Sequence, residues 1–179
     1  MTVLVTGATG FVGGAFCKRL VADGMQVVGT VRSGRQAEDL PAGVTPLLLP
    51  DMGPDTDWNG RLTGIATVVH LAGRVHVMRD TASDPLAEFR RANVAATVNL
   101  ARQAAAAGVR RLVFMSSLKV NGEERATPFN EADIPAPVEP YGISKSAGVD
   151  LCRHFRRSRG VFAAVGILYN HESPRRGPS

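Results

Sequence analysis

Three groups of side chains have the types and spacing that chemistry needs. Tyr141 and Lys145 stand four residues apart near the start of a helical stretch, so they share one face. A phenol is a poor base near neutrality, because its pKa is near 10. An ammonium fixed about 4 Å away favours the phenolate by roughly 4 kcal/mol at an effective dielectric of about 20, or about three pKa units. That would fit Tyr141 to act as acid and base in an alcohol–ketone conversion. Ser116 and Ser117 close a short apolar run, and Ser117 is placed to hydrogen-bond the same substrate oxygen. The second group is Gly7-Ala8-Thr9-Gly10-Phe11-Val12-Gly13, between a strand-like run and a helical one. Glycine permits a tight turn and a close phosphate, and the helix start offers free N–H groups and the positive end of a dipole. The spacing G-x-x-G-x-x-G suits a dinucleotide; the competing reading is a merely tight strand–helix turn. The third is Arg32, at the end of the second strand-like run, with Arg35 following and no acid until Glu38. An acid there would bond the ribose 2′-hydroxyl of NAD, and an arginine can take the 2′-phosphate of NADP. NADP is therefore favoured over NAD, against the alternative that Arg32 is a solvated loop residue.

Regular elements must position these groups. Apolar runs at Thr2–Thr6, Gln26–Val31, Leu47–Leu49, Thr67–Leu71, Arg111–Met115 and Val161–Leu168 predict six strands. Helices are predicted over Phe11–Ala22, stopped by Asp23-Gly24, over Leu86–Ala107, ended by Gly108, and over Tyr141–Arg157. Strands this apolar, alternating with helices, argue an α/β fold: a doubly wound parallel sheet of Rossmann type, covered on both faces. Residues 121–140 carry four prolines and several acids and read as a surface loop of functional length. Residues 1–170 are expected to form the dinucleotide-binding domain. The tail 171–179 has nothing apolar to bury and is expected to stay unpacked in a monomer.

Composition narrows the function classes. The chain has 179 residues, one domain by length, with 44% hydrophobic and 21% charged residues. Its net charge of +5 sits wholly after residue 152: up to there, 15 basic residues balance 15 acidic ones. A basic patch confined to 27 residues fits a phosphate-bearing small ligand or a partner surface, and argues against nucleic acid. No apolar run is long enough for a membrane helix, and the N-terminus lacks a basic leader, so a cytoplasmic protein is expected. Two cysteines, Cys17 and Cys152, make neither a disulfide framework nor a zinc site and read as packing groups. His70, His76, His154 and His171 are scattered without metal spacing and read as structural or exposed. Trp58 is expected to pack on the sheet.

Taken together, TGATGFVG, HLAG (70–73), Asn93 in NVAAT, SSLKVNGE (116–123) and YGISK (141–145) resemble the extended short-chain dehydrogenase/reductase family. The resemblance covers nearly the whole chain. Within it, SSLKVNGE is most similar to nucleotide-sugar 4-epimerases of the UDP-glucose 4-epimerase type and to related 4-keto-sugar reductases. It implies Ser117, Tyr141 and Lys145 as catalytic residues, with Lys145 also holding the nicotinamide ribose. It implies Asp51 and Met52 beside the adenine, and Leu71, Ala72, Gly73 and Asn93 along the cofactor; the alternative for Asn93 is a tether from helix to strand. Asn170 would be the first contact of the nucleotide-sugar substrate.

Two departures qualify this. The last 20 or so residues (GILYNHESPRRG) resemble GDP-mannose 4,6-dehydratases, which place a glutamate two residues after the catalytic hydroxyl residue. Here Lys119 stands there, and an ammonium cannot replace a carboxylate base, so dehydration is the third choice. Family members also continue into a substrate-binding domain, and by this resemblance the chain is expected to be truncated before it. The readings are therefore an epimerase or ketoreductase acting at sugar C4, or a dinucleotide-binding module without turnover. The surface such a domain would cover is expected to favour a homo-oligomer.

Overall fold

The computed structural model describes residues 1–75, 83–123, 128–130, 132–158 and 162–168. Asn170, His76, the tail 171–179 and the start of the last strand at Val161 lie outside them. Six strands form one parallel sheet: β1 (Thr2–Thr6), β2 (Gln26–Val31), β3 (Val44–Leu48), β4 (Ile65–His70), β5 (Arg111–Ser117) and β6 (Phe162–Leu168). Their order is β3-β2-β1-β4-β5-β6, the doubly wound arrangement. The order reverses between β1 and β4, whose last residues, Thr6 and His70, are partners in register.

The strands are apolar on both sides because both faces are covered. Along β1, Val3 and Val5 join Ala8, Cys17 and Leu20 beneath α1 (Phe11–Ala22). Leu4 points the other way, into a cluster with Trp58, Leu62, Val68, Leu100, Leu112 and Phe155. Trp58 is fully buried there. Cys17 and Cys152 are buried thiols, and burial pushes both up, Cys152 to about 11, so neither is a ready nucleophile.

Four elements differ from the sequence expectation. The third strand begins at Val44 rather than Leu47, because Gly43, at φ +85°, turns the chain into pairing with Val27. The fourth begins at Ile65 and ends at His70. The fifth runs two residues further, so that Ser116 and Ser117 are strand residues. The expected single helix 86–107 is three pieces: α3 (Pro85–Phe89), a π-helical stretch Arg90–Ala95, and α4 (Ala96–Ala106). A four-residue helix, α2 (Gly34–Ala37), was not anticipated; Ser33 caps it.

The last helix, α5 (Pro140–Ser158), crosses β5 closely. A Cβ at Gly148 would lie 2.4 Å from the Phe114 ring. Before α5 the loop is gathered at its neck, where the Ala136 N–H donates to the Val120 carbonyl at 3.0 Å. A Cβ at Gly142 would lie 2.5 Å from the Lys119 carbonyl oxygen, so the start of α5 rests on the short 3-10 turn Leu118–Val120. Gly148→Ala is expected to destabilise the fold by about 1–3 kcal/mol through overpacking against Phe114, read as a lowered denaturation midpoint. Substitution at Gly34, where a Cβ meets nothing within 4 Å, serves as the control.

Candidate functional site

The glycine turn leaves the carboxyl end of β1 at the switch point of the sheet. Gly7 has φ +70°, and a Cβ there would stand 2.9 Å from the Ala72 amide nitrogen. Gly13 is excluded from carrying a side chain by backbone, since its Cβ would lie 2.0 Å from the Gly7 carbonyl oxygen. Gly10 is different. Its φ is −75°, and a Cβ would meet only the Gly7 oxygen, at 3.3 Å. Packing therefore requires glycine at 7 and 13, while position 10 faces open space in front of the helix. Helix α1 begins there without a side-chain cap, and Phe11 is 98% exposed. This cradle, with helix N–H groups aimed into it, fits a pyrophosphate.

Along the rim, Leu71 and Ala72 are half-buried against Gly7, and Gly73 is exposed. Asp51 is exposed and pairs with Arg91 from the π-helical stretch at 3.2 Å; Met52 is half-buried beside it. Arg32 is exposed, and its backbone N–H is held by the Gln36 side chain at 2.9 Å.

The Ser117, Tyr141 and Lys145 side chains meet at the carboxyl end of β5. Lys145 is 4% exposed and donates to the Met115 carbonyl at 3.0 Å. Its ammonium lies 4.8 Å from the Phe114 ring centre and 5.9 Å from that of Tyr141. Burial draws its pKa down to about 8. Burial also raises the Tyr141 phenol above its ordinary value, and a hydrogen bond with Ser117 only partly opposes this. The expected lowering of Tyr141 by Lys145 is thus corrected: desolvation of the phenol dominates, and the ammonium, 5.9 Å from the ring centre, gives one of its hydrogen bonds to the Met115 carbonyl. Lys119 pairs with Glu123 and Glu139 at the mouth of the site.

Asn93 is 1% exposed, and its amide is fully spent. Its Oδ1 accepts from the Arg74 N–H at 2.7 Å, and its Nδ2 donates to the Arg74 carbonyl at 2.9 Å and to the Ser144 hydroxyl at 3.0 Å. Ser144 in turn donates to the Tyr141 carbonyl at 2.7 Å. A Cβ at Gly73 would touch both Asn93 Oδ1, at 2.9 Å, and Lys145 Nζ, at 3.3 Å. The side chain acts as a tether between helix, strand end and α5. Sequence reasoning missed Ser144, Arg91 and the ion pairs of Lys119; Ser144 had a signal in its i+3 spacing from Tyr141. Among the described residues no His, Cys, Asp and Glu cluster could hold a metal, and no helix is long and apolar enough to cross a membrane.

A family model described as the NAD dependent epimerase/dehydratase family matches residues 3–179. A UDP-glucose 4-epimerase of Vibrio cholerae is 41% identical over 81% of this chain and 44% of its own length. A GDP-mannose 4,6-dehydratase of Sordaria araneosa is 33% identical over 98% of this chain and 34% of its own. Among solved structures, MoeE5 in complex with UDP-glucose and NAD superposes with a TM-score of 0.78 at 33% identity, over 94% of this chain and 53% of that one. The chain spans between about a third and about half the length of these relatives.

Two expectations arise from the site. Gly13→Ala should lower thermal stability sharply, whereas Gly10→Val should keep the fold while filling the cradle; equal losses in a melting experiment would contradict the geometry. Lys145 binds fewer protons folded than unfolded between its pKa of about 8 and its ordinary value of 10.5, so its own contribution to folding stability should rise with pH across that window, while Cys152, pushed up from 9.0 to about 11, contributes a fall above about pH 9. Lys145→Met should remove the Lys145 contribution, so that between about pH 8 and about pH 10 its denaturation midpoint changes less favourably than that of the unsubstituted protein.

Proposed function

The chain belongs to the NAD dependent epimerase/dehydratase family, and from that premise we propose that it binds a nicotinamide dinucleotide and acts at C4 of a nucleotide sugar. One observation carries the reading. The glycine turn touches residues 71 and 72, and Gly73 touches Lys145, which lies over Tyr141. The phosphate cradle and the proton-transferring group are therefore consecutive parts of one surface.

In this reading the cradle at Gly10 and the N–H groups of α1 hold the pyrophosphate, with Gly7 and Gly13 keeping the turn tight. Asp51 and Met52 border the adenine. Leu71, Ala72 and Gly73 form the floor, and Asn93 holds that floor in place. The bound nicotinamide supplies a hydride acceptor and, when oxidised, a positive charge. Lys145 keeps one N–H on the Met115 carbonyl and bonds the ribose hydroxyls with its other donors. Tyr141 takes the proton of the C4 hydroxyl as the alcohol becomes a ketone and returns it on reduction. Ser117 donates to the same oxygen and fixes its position. The burial that raises the Tyr141 pKa makes the phenol a good proton donor and leaves its basic form dependent on neighbouring positive charge.

An epimerase turns the ketone over and returns the hydride to the other face; a ketoreductase releases the product after one transfer. Likeness to UDP-glucose 4-epimerase supports the first. Lys119 stands where a dehydratase would need a carboxylate, which argues against dehydration. NADP is the proposed dinucleotide because Arg32 and Arg35 are exposed at the end of β2. Self-association is part of the same proposal.

Tyr141→Phe should keep dinucleotide affinity and lose nucleotide reduction by UDP-glucose, measured by ultraviolet absorbance in the protein expressed at its full genomic length. Near wild-type turnover would exclude Tyr141 as the acid and base. Calorimetry should show NADP binding tighter than NAD, with Arg32→Ala removing roughly tenfold of NADP affinity. Tighter NAD would overturn the role given to Arg32.

A further inference from the structure

We propose that His70 is a positioning residue: fixed in one tautomer between Thr6 and Thr97, it carries the geometry of the β1–β4 switch point to Asn93, and so to the helix bearing Tyr141. The donor and acceptor inventory leaves one arrangement. The Ala72 N–H donates to Thr6 Oγ1 at 3.1 Å. Thr6 Oγ1 stands 2.7 Å from His70 Nδ1, and His70 Nε2 stands 2.9 Å from Thr97 Oγ1. Thr97 gives its single proton to the Asn93 carbonyl at 2.7 Å. Since that proton is committed, Thr97 must accept from His70, so Nε2 carries the hydrogen. Nδ1 is then bare and accepts from Thr6. All five groups are satisfied in one direction, from the Ala72 amide to the Asn93 carbonyl. Both ends are backbone, so the chain conducts no proton; it fixes positions.

Its far end is the π-helical stretch Arg90–Ala95. There the hydroxyl of the i+4 residue, Thr97, bonds back to the Asn93 carbonyl at 2.7 Å. Asn93 is thereby held facing the Arg74 backbone and Ser144. Thr6, His70 and Thr97 are each at most 1% exposed, so water offers no substitute. The groups facing the imidazole are Thr6 from β1, the Phe114 ring of β5 at 5.9 Å, Thr97 from α4, and the Lys145 charge from α5. Burial and Lys145 both oppose protonation, holding His70 down to about 3.

The tautomer is read without any ligand, by long-range nitrogen–proton correlation NMR of the labelled chain. A protonated Nε2 with a bare Nδ1, unchanged from about pH 6 to about pH 9, is the expected result. A titrating ring, or a hydrogen on Nδ1, overturns the proposal. Thr97→Val removes the hydroxyl and nearly keeps the shape. It should strip the Asn93 side-chain amide of its protection from exchange and, on the functional reading above, weaken NADP binding by roughly fivefold or more. Thr97→Ser should restore both. Thr67→Val is the control, since Thr67 is buried on β4 with a hydroxyl that has no partner, and should change neither. Equal effects at 67 and 97, or no effect at 97, would make His70 core filling only. Failure of the wild-type chain to bind either dinucleotide, with tautomer and Asn93 protection as expected, would support this proposal and overturn only the proposed function.

Discussion

Asn93 has three hydrogen-bonding sites inside the protein and no water to help it, and the site is built around that constraint. Its three bonds join elements far apart in sequence: the segment after β4, the π-helical stretch and α5. An unmet bond there would cost about 1–3 kcal/mol, so the three elements cannot drift independently. Because Ser144 is also bonded to the Tyr141 backbone, the same constraint fixes where the phenol begins. A helix of ordinary pitch would turn Asn93 differently; the wider turn is what faces it inward.

The chemistry of the site comes at some cost to the fold. Lys145 is an ammonium placed where burial disfavours it, and Tyr141 is a phenol made less acidic by the same surroundings. Each is shifted away from its charged form, and added positive charge would favour the phenolate again. The two aromatic contacts of Lys145, with Phe114 and Tyr141, replace part of its lost hydration. A site that needed only to be stable would have an apolar residue at 145.

Much of this was legible in the sequence, and what was missed has physical causes. The order of strands and helices followed from apolar runs and glycine stops, because a sheet covered on both faces writes itself as continuous hydrophobic segments. The turn at Gly7–Gly13 was visible for the same local reason. Strand starts were less visible: β3 is an edge strand with exposed Thr45 and Pro46, so pairing with β2 defines it, not burial. The π-helical stretch was invisible because it depends on Asn93 and Thr97 finding partners 19 and 27 residues away. The balance of forces on Tyr141 was misjudged for a related reason. Spacing places Lys145 on the right face but does not show how strongly burial acts on the phenol, or that the ammonium is held by the Met115 carbonyl.

The neck of the loop before α5 bears on how such a protein can vary. Val120 and Ala136 are bonded through their backbones, and Gly142 rests on Lys119, so backbone contacts hold both ends of the intervening segment. Closing a longer loop on fixed ends costs little, since the entropy grows only with the logarithm of length. Insertions or wholesale replacements between these two points can therefore accumulate while the distance from Ser117 to Tyr141 stays constant.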